Sequence, residues 1–271
     1  MTVQEKLDFF RKNKVVNWHE HIYPDDNMKL DRKALEFLVR DSELVGIDIN
    51  VVSRPYATVF KSPDIMELYN NMVGEAMRVY PDKIQGFAFI DPVHGKYSVD
   101  EINRCVQELG MIGVKLYDQY TMSDKMQEPI IECCIKLDIP ILMHAGKACQ
   151  MPLRKPLESD STHFIAAAKK YPEAVFIMGH IGGGGDWSWQ LKGLEKYPNI
   201  FTDISGSVHD DMLIEETLKV MGSDRVLFGT DGSFSSSIGK LLDADISWED
   251  KKTIMSNPAF ERYLNRGSVK C

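Results

Sequence analysis

Eight short apolar segments recur along the 271-residue chain, and their spacing constrains its fold more than any other feature. Their first residues lie 25 to 36 positions apart, and each segment is followed by a stretch with the spacing of an amphipathic helix. Apolar residues run almost continuously through them, which is typical of parallel strands buried on both faces. The pattern predicts an α/β fold, a (β/α)8 TIM barrel, with strands at residues 14–22, 47–55, 83–92, 111–118, 139–146, 174–182, 199–207 and 225–233.

The competing arrangement is a doubly wound open sheet. Such a sheet would normally carry a glycine-rich dinucleotide-binding turn after its first strand, and none follows residues 14–22. No linker, charge block or low-complexity stretch interrupts the alternation, so we predict a single domain over residues 1–271. The longest predicted loop, residues 147–160, follows the fifth strand, and long loops in compact domains are often functional lids.

Charge and cysteine content indicate the setting of the protein. The chain has 32 basic and 40 acidic residues, and this net charge of −8 argues against nucleic-acid binding. Its five cysteines, an odd number without C-x-x-C spacing, are typical of thiols in a reducing compartment. The first residues lack the apolar core of a secretory signal, and no apolar run approaches the roughly 18 residues of a membrane helix. We therefore expect a cytoplasmic protein without membrane contact.

Four of the seven histidines stand at the ends of predicted strands. His19 and His21 form H-E-H at the end of the first strand, where residues i and i+2 point the same way. His144, His180 and Asp231 end the fifth, sixth and eighth strands. Because the strands of a barrel all end at its C-terminal mouth, these side chains are predicted to converge there.

Imidazoles and one carboxylate are ligands suited to Zn²⁺, Mn²⁺ or Fe²⁺. Each residue alone has an ordinary structural interpretation, since a strand histidine is often a hydrogen-bonded core residue and Asp231 could cap a helix. Burying all of them at one mouth without a shared cation would be costly, so the set together predicts a metal site. The remaining histidines, His94, His163 and His209, fall in predicted loops or helix starts and are expected to be solvated.

These motifs resemble the amidohydrolase superfamily, specifically its "amidohydrolase 2" branch. The matches are W-H-E-H, G-V-K-L, M-H-A-G, G-H-I-G-G and G-T-D at strands one, four, five, six and eight, in the family's order and over essentially the whole chain. The resemblance implies His19, His21, His144 and Asp231 as ligands of one divalent metal, with zinc expected and manganese or iron as alternatives. It implies His180 as a catalytic residue or an additional ligand.

Three further residues are candidates near this site. Lys115 stands where some superfamily members carry a carboxylated lysine that bridges two metals, but resemblance to the mononuclear branch favours a lysine that binds substrate or forms an ion pair. Arg54 could hold a substrate carboxylate with its planar fork or form a surface ion pair, and Tyr117 is a further substrate-binding candidate. The sequence departs from the family at Asn17, where an aspartate often precedes the first histidine by two residues.

The predicted function is a metal-dependent hydrolase, in which a metal-activated water attacks a small-molecule amide, ester or lactone, with His180 and Asp231 as catalytic residues. The alternative is a metal-dependent non-oxidative decarboxylase of a carboxylated aromatic or related acid. A third hypothesis is a barrel without catalytic activity, in which the metal site is closed and purely structural. Catalytic zinc differs from such a site because it needs an open coordination position. The expected partner is a small-molecule substrate, and assembly into a homo-oligomer stays open.

Overall fold

The structure is a computed structural model that describes residues 2–55, 62–146, 158–183 and 186–265. Its eight strands form one parallel sheet in sequential order. The backbone N–H of Trp18 donates to the carbonyl of Phe228 at 2.8 Å, which brings the eighth strand against the first. The predicted (β/α)8 barrel is confirmed, with strands β1 Val16–His21, β2 Ile49–Ser53, β3 Ile84–Phe89, β4 Gly113–Leu116, β5 Ile141–Met143, β6 Phe176–Met178, β7 Ile200–Asp203 and β8 Val226–Leu227.

Helices alternate with these strands and begin and end at sequence signals. Asp31 caps the second helix, because its carboxylate accepts from the N–H of Ala34 at 2.9 Å, and Gly46 ends that helix with φ of 98°. The helices of the described residues are α1 Val3–Lys12, α2 Arg32–Val45, α3 Asp64–Val79, α4 Lys96–Gln107, α5 Glu128–Leu137, α6 Ser161–Lys170, α7 Trp187–Gln190, α8 Leu213–Met221, α9 Phe234–Asp243, α10 Trp248–Ser256 and α11 Glu261–Leu264. None of them combines the length and apolarity needed to cross a bilayer.

The strands are shorter than the sequence predicts, which changes the setting of the candidate residues. His144 follows β5 directly, whereas His180 lies in a 3-10 turn, Gly179–Gly182, after β6. Asp231 lies in the turn that follows β8. His180 and Asp231 have φ of 62° and 47°, and this left-handed backbone cannot continue a strand. The geometry of these turns therefore determines the direction of their side chains.

Side chains alternate between the two faces of the sheet. On the inner face, the kind of side chain changes from one end of the strands to the other. One part is an apolar interior layer in which Phe87 occupies so much space that a Cβ at Gly113 would lie 2.5 Å from its ring. Two residues further along β4 stands Lys115, which is fully buried in the same interior. The apolar interior layer consists of Val16, Trp18, Val51, Phe87, Ile112, Leu142, Ile177, Leu227, Phe260 and Tyr263. The prediction of a single domain stays a prediction.

Candidate active site

His19 is the most deeply buried of the strand-end histidines, and Asp203 at the end of β7 determines its tautomer. Its Nδ1 lies 3.0 Å from a carboxylate oxygen of Asp203, and an ionised carboxylate only accepts, so Nδ1 donates. His19 therefore presents the lone pair of Nε2 to the barrel mouth. Burial alone would raise the pKa of Asp203, but the electrostatic interaction with His19 and its hydrogen bond outweigh burial and hold that pKa well below its usual value.

His21 is oriented in the same way by β2. Its Nδ1 lies 3.3 Å from the carbonyl oxygen of Ser53, which only accepts, and 3.2 Å from the Ser53 hydroxyl, which can accept or donate. Donation from Nδ1 is the arrangement that satisfies the carbonyl, and it leaves the lone pair on Nε2. That Nε2 lies 2.8 Å from Oδ1 of Asp231, while Nε2 of His19 lies 3.8 Å from the same oxygen. Two acceptors 2.8 Å apart require a proton or a cation between them, and this donor set fits a divalent metal.

Asp231 is held in a strained turn by the first strand. Its N–H donates to the carbonyl of His19 at 2.7 Å, and the side-chain oxygen of Asn17 accepts from the N–H of Thr230 at 3.0 Å. Asn17 also donates to the Thr230 hydroxyl at 2.7 Å, so the residue that departs from the family pattern ties β1 to the Asp231 turn. Burial would raise the pKa of Asp231, but the close contact with His21 and the electrostatic influence of the neighbouring imidazoles lower it further than burial raises it.

His180 links the site to a hydrogen-bonded relay. Its Nδ1 lies 2.8 Å from the hydroxyl of Ser205, which in turn makes a short hydrogen bond to Asp203. Since the carboxylate takes the hydroxyl proton, Ser205 accepts from Nδ1 of His180, and Nε2 is left with its lone pair. That Nε2 lies 3.2 Å from Nδ1 of His144 and 3.8 Å from Oδ2 of Asp231. Burial and the neighbouring His19 lower the pKa of His180 to about 4.

Within the described ranges, the tightest group of potential ligands is His19, His180 and Asp231, whose donor atoms all lie within 4.8 Å of one another. His21 contacts this group through Asp231, and His144 contacts it through His180. The structure therefore brings all five predicted ligand and catalytic residues to one place and forms a possible metal site.

Lys115 and Tyr117 also lie at this centre. Lys115 Nζ is 2.6 Å from Nε2 of His19, and burial lowers the pKa of its ammonium group to about 8. The same Nζ lies 4.9 Å above the ring of Tyr117, whose centroid is 6.2 Å from that of His144 in a stacked arrangement. Lys115 and Tyr117, both predicted to bind substrate, therefore lie beside the predicted ligand and catalytic residues.

Arg54 directly follows the last residue of β2. It is 6% exposed, its guanidinium stacks on the ring of Tyr69 at 4.6 Å, and it donates to the carbonyl of Pro55 at 2.5 Å. Its Nε has no hydrogen-bond partner among the described residues. Arg54 is therefore not the surface ion-pair residue that the sequence left as an alternative.

Comparison with known proteins decides the family. The sequence profile of the amidohydrolase family matches residues 18–253. The chain belongs to the amidohydrolase family.

Curated relatives of the chain correct the main functional prediction. The chain is 24% identical over 240 residues to gamma-resorcylate decarboxylase of Polaromonas sp., and the match covers 68% of this chain and 69% of that protein. It is 23% identical over 228 residues to 2-keto-4-carboxy-3-hexenedioate hydratase of Sphingobium sp., covering 68% and 67%. These relatives are a decarboxylase and a hydratase, so the prediction of a hydrolase is wrong and the decarboxylase alternative is better supported.

A solved structure shares the fold of this amidohydrolase. It is the dihydroxybenzoic acid decarboxylase of Polaromonas sp. with bound manganese and the inhibitor 2-nitroresorcinol. The two match with a TM-score of 0.71 at 20% identity, covering 94% of this chain and 98% of that one. Because that neighbour carries manganese, it gives no support to the specific prediction of zinc.

A cleft of about 510 Å³ opens over the site of this amidohydrolase, and it is lined by His144, His180 and Asp231 together with Glu158 and His209. His209, expected in solvent, has an exposed side chain and also lines the wall of the cleft. Glu158 belongs to the predicted loop 147–160, most of which lies outside the described residues. The loop prediction was the one signal in the sequence that could have pointed to Glu158.

No role was assigned from the sequence to Ser205, or to Asp203 beyond its being a strand-end residue that could face the pocket. The signal was present, because D-I-S places them at i and i+2 at the end of a predicted strand, as in H-E-H. Aspartate and serine are, however, also ordinary turn residues. Only the contacts with His19 and His180 show that they orient the imidazoles.

Proposed function

We propose that this member of the amidohydrolase family is a metal-dependent non-oxidative decarboxylase of a small carboxylated aromatic or related acid. The observation that carries the proposal is the match to gamma-resorcylate decarboxylase, at 24% identity over 240 residues. The site supports it, because imidazoles and a carboxylate that could serve such a reaction face one cleft.

We propose that His19, His21, His144 and Asp231 hold one divalent metal. The support lies in the tautomers, since His19 and His21 both direct Nε2 towards Asp231. Manganese is our first choice because the structural neighbour binds it, with zinc and iron as the metals to compare. When bound, the metal would supply a positive charge that binds and polarises the oxygen atoms of the substrate.

We propose that His180 relays the proton that decarboxylation requires: its neutral Nε2 takes a proton from solvent in the cleft and passes that proton to the substrate. The carbon–carbon bond to the carboxylate breaks, its electron pair stays on the ring carbon, and that carbon takes a proton while CO2 leaves. His180 lines the cleft and its Nδ1 is held by Ser205, which leaves Nε2 as the ring atom available for proton transfer. Asp203, hydrogen-bonded to the same hydroxyl, would stabilise the imidazolium form, and Asp231 would add a second negative charge at 3.8 Å.

Arg54, Lys115 and Tyr117 are proposed as substrate-side residues. Lys115 and Tyr117 are supported by their position beside His19 and His144. Arg54 is supported by its burial and by an Nε without a hydrogen-bond partner in the described part of the chain, since a buried guanidinium gains from an anionic partner. We also propose a cytoplasmic location, which the free buried thiols of Cys105 and Cys133 support.

The proposed activity is tested by CO2 release from manganese-loaded protein in D2O. We offer 2,6-dihydroxybenzoate and 5-carboxyvanillate, with a methyl ester of each as a substrate for hydrolysis. We expect CO2, together with a product that carries deuterium at the carbon that lost the carboxylate. His180→Gln should lower the rate about 100-fold or more, the range of general acid–base catalysis, with metal content unchanged. Ester hydrolysis without CO2 release from any acid would contradict the proposal.

A further inference from the structure

Glu158 is a buried acidic residue in the cleft to which the proposed reaction gives no role. It is 8% exposed and lines the same cleft as His144, His180 and Asp231. Its Oε2 has no hydrogen-bond partner among the described residues. Burial removes water from this acceptor, and no described donor of the protein replaces that water, which is unfavourable. The stability of the fold therefore gives no reason for a glutamate at this position.

The backbone beside Glu158 is fixed in place. The carbonyl of the next residue, Ser159, accepts from the N–H of Gly146 at 2.9 Å, and the Ser159 hydroxyl accepts from the N–H of Met122 at 2.9 Å. Gly146 has φ of 124°, and a Cβ there would lie 2.7 Å from the carbonyl oxygen of Gly182. The turns after β5 and β6 therefore touch, and Glu158 is held where these two turns meet.

The charges around Glu158 show what could satisfy it. Among the described residues that line the cleft there is no lysine or arginine to pair with this carboxylate. The acceptor is already positioned and can be paired by a hydrogen-bond donor that a ligand brings into the cleft.

We propose that Glu158 is a specificity-determining residue that accepts a hydrogen bond from a hydroxyl or amino group of the substrate. The inference rests on the proposed function, and it narrows the substrate class to carboxylated rings or related acids that carry such a donor. A site with a buried acceptor discriminates strongly against an analogue that lacks the donor, because the acceptor is then left unpaired in the complex.

The test measures ligand binding, so that it does not depend on turnover. Manganese-loaded protein is titrated calorimetrically with benzoate and with benzoates that carry a hydroxyl, amino or methoxy group at ring position 3 or 4. We expect at least one hydroxyl or amino ligand to bind about 10-fold or more tightly than both benzoate and its methoxy counterpart. The two donor series show which group the site prefers.

Two variants separate recognition from folding. Glu158→Leu should reduce the preference to within about 3-fold while benzoate still binds as to the unchanged protein, and Glu158→Gln, which keeps an acceptor oxygen, should retain part of the preference. Glu173→Leu, on the exposed surface, is the matched control and should keep the full preference. If Glu158→Leu does not fold, Glu158→Gln and the unchanged protein still decide the question.

The inference is overturned if the unchanged protein binds donor and methoxy ligands equally, or if it binds none of them. It is also overturned if Glu158→Leu keeps the preference, or loses benzoate binding together with it, because the residue would then serve the structure of the cleft. A clear preference that depends on Glu158, found in a protein that releases no CO2, would keep this inference and refute the decarboxylase proposal.

Discussion

The apolar interior layer and the mouth of the barrel draw largely on the same strands, but their side chains are stabilised in different ways. Trp18 and Phe87 are each 1% exposed, and burial of their rings itself favours folding. His19, Lys115 and Asp203 are 1% exposed or less, yet each must find partners for polar atoms that have left water. The apolar interior layer can therefore stabilise the barrel. Burial of polar groups at the mouth is unfavourable, and the stability of the apolar layer compensates for it.

The backbone differs between the two regions in the same sense. The strands that carry the apolar interior layer have ordinary extended geometry, whereas His180, Ile181 and Asp231 at the mouth have φ between 47° and 62°. Left-handed backbone at residues other than glycine costs on the order of 1–3 kcal/mol each and persists where surrounding contacts enforce it. Those contacts include the bonds from the Asp231 N–H to His19 and from the His180 ring to Ser205.

The largest separation of the two regions is expected from His19→Ala. Loss of Nε2 removes one of the nitrogens that face Asp231, so we expect clearly less manganese by elemental analysis and a loss of activity of about 1,000-fold or more. The apolar interior layer is untouched, so circular dichroism should show a folded barrel. His163→Ala, whose ring lies in the first turn of α6, is the control and should keep both metal and activity. Stoichiometric metal in His19→Ala would contradict the ligand assignment.

The reverse separation is expected from Phe87→Ala. Removing this ring leaves a cavity beside Gly113 and Trp18, and such changes lower the free energy of unfolding by about 3–5 kcal/mol. Urea denaturation measures the loss, and the protein that remains folded should bind manganese normally. Phe37→Ala removes a ring that is 41% exposed and should cost less than about 1 kcal/mol. If Phe87→Ala lost metal while keeping its stability, the two regions would not be separable.

The comparison also explains how far the sequence could predict this molecule. Strands buried on both faces leave a regular apolar pattern, so the barrel and the positions of His19 and His21 could be predicted from short-range order. The ends of β5, β6 and β8 could not, because turn geometry at His180 and Asp231 replaces the strand where the apolar run continues. Glu158 could not be assigned either, since its burial depends on contacts between turns that are distant in sequence.

The function shows a second limit. Hydrolysis and decarboxylation by a metal site can use the same histidines and aspartate, so H-E-H and G-T-D do not distinguish them. What distinguishes them is the ligand that the loops admit and where a proton is delivered, which depends on residues such as Ser205 that resemble ordinary turn residues in the sequence.

The smallest of the expected effects concerns Ser205, which positions His180 without facing the substrate as an acid. Ser205→Ala removes the hydroxyl between His180 Nδ1 and Asp203, so the imidazole loses its orientation and its link to the carboxylate. We expect kcat to fall about 10- to 100-fold with KM and manganese content unchanged, because the change affects proton transfer and not binding. Ser205→Thr, which keeps the hydroxyl, should recover most of the rate. Ser256→Ala, whose hydroxyl donates to the carbonyl of Lys252 within α10, is the control.

A change in KM or in metal content equal to the change in kcat would show that Ser205 supports the mouth as a whole. Ser205 would then have a structural role, like the residues of the apolar interior layer, and its hydrogen bond to His180 would not be specific to proton transfer. The rescue by threonine decides between these readings. A merely structural hydroxyl would be replaced equally well by the methyl of Ser205→Ala, whereas a hydroxyl that holds one tautomer of His180 must be able to donate to Asp203 and accept from Nδ1 at once.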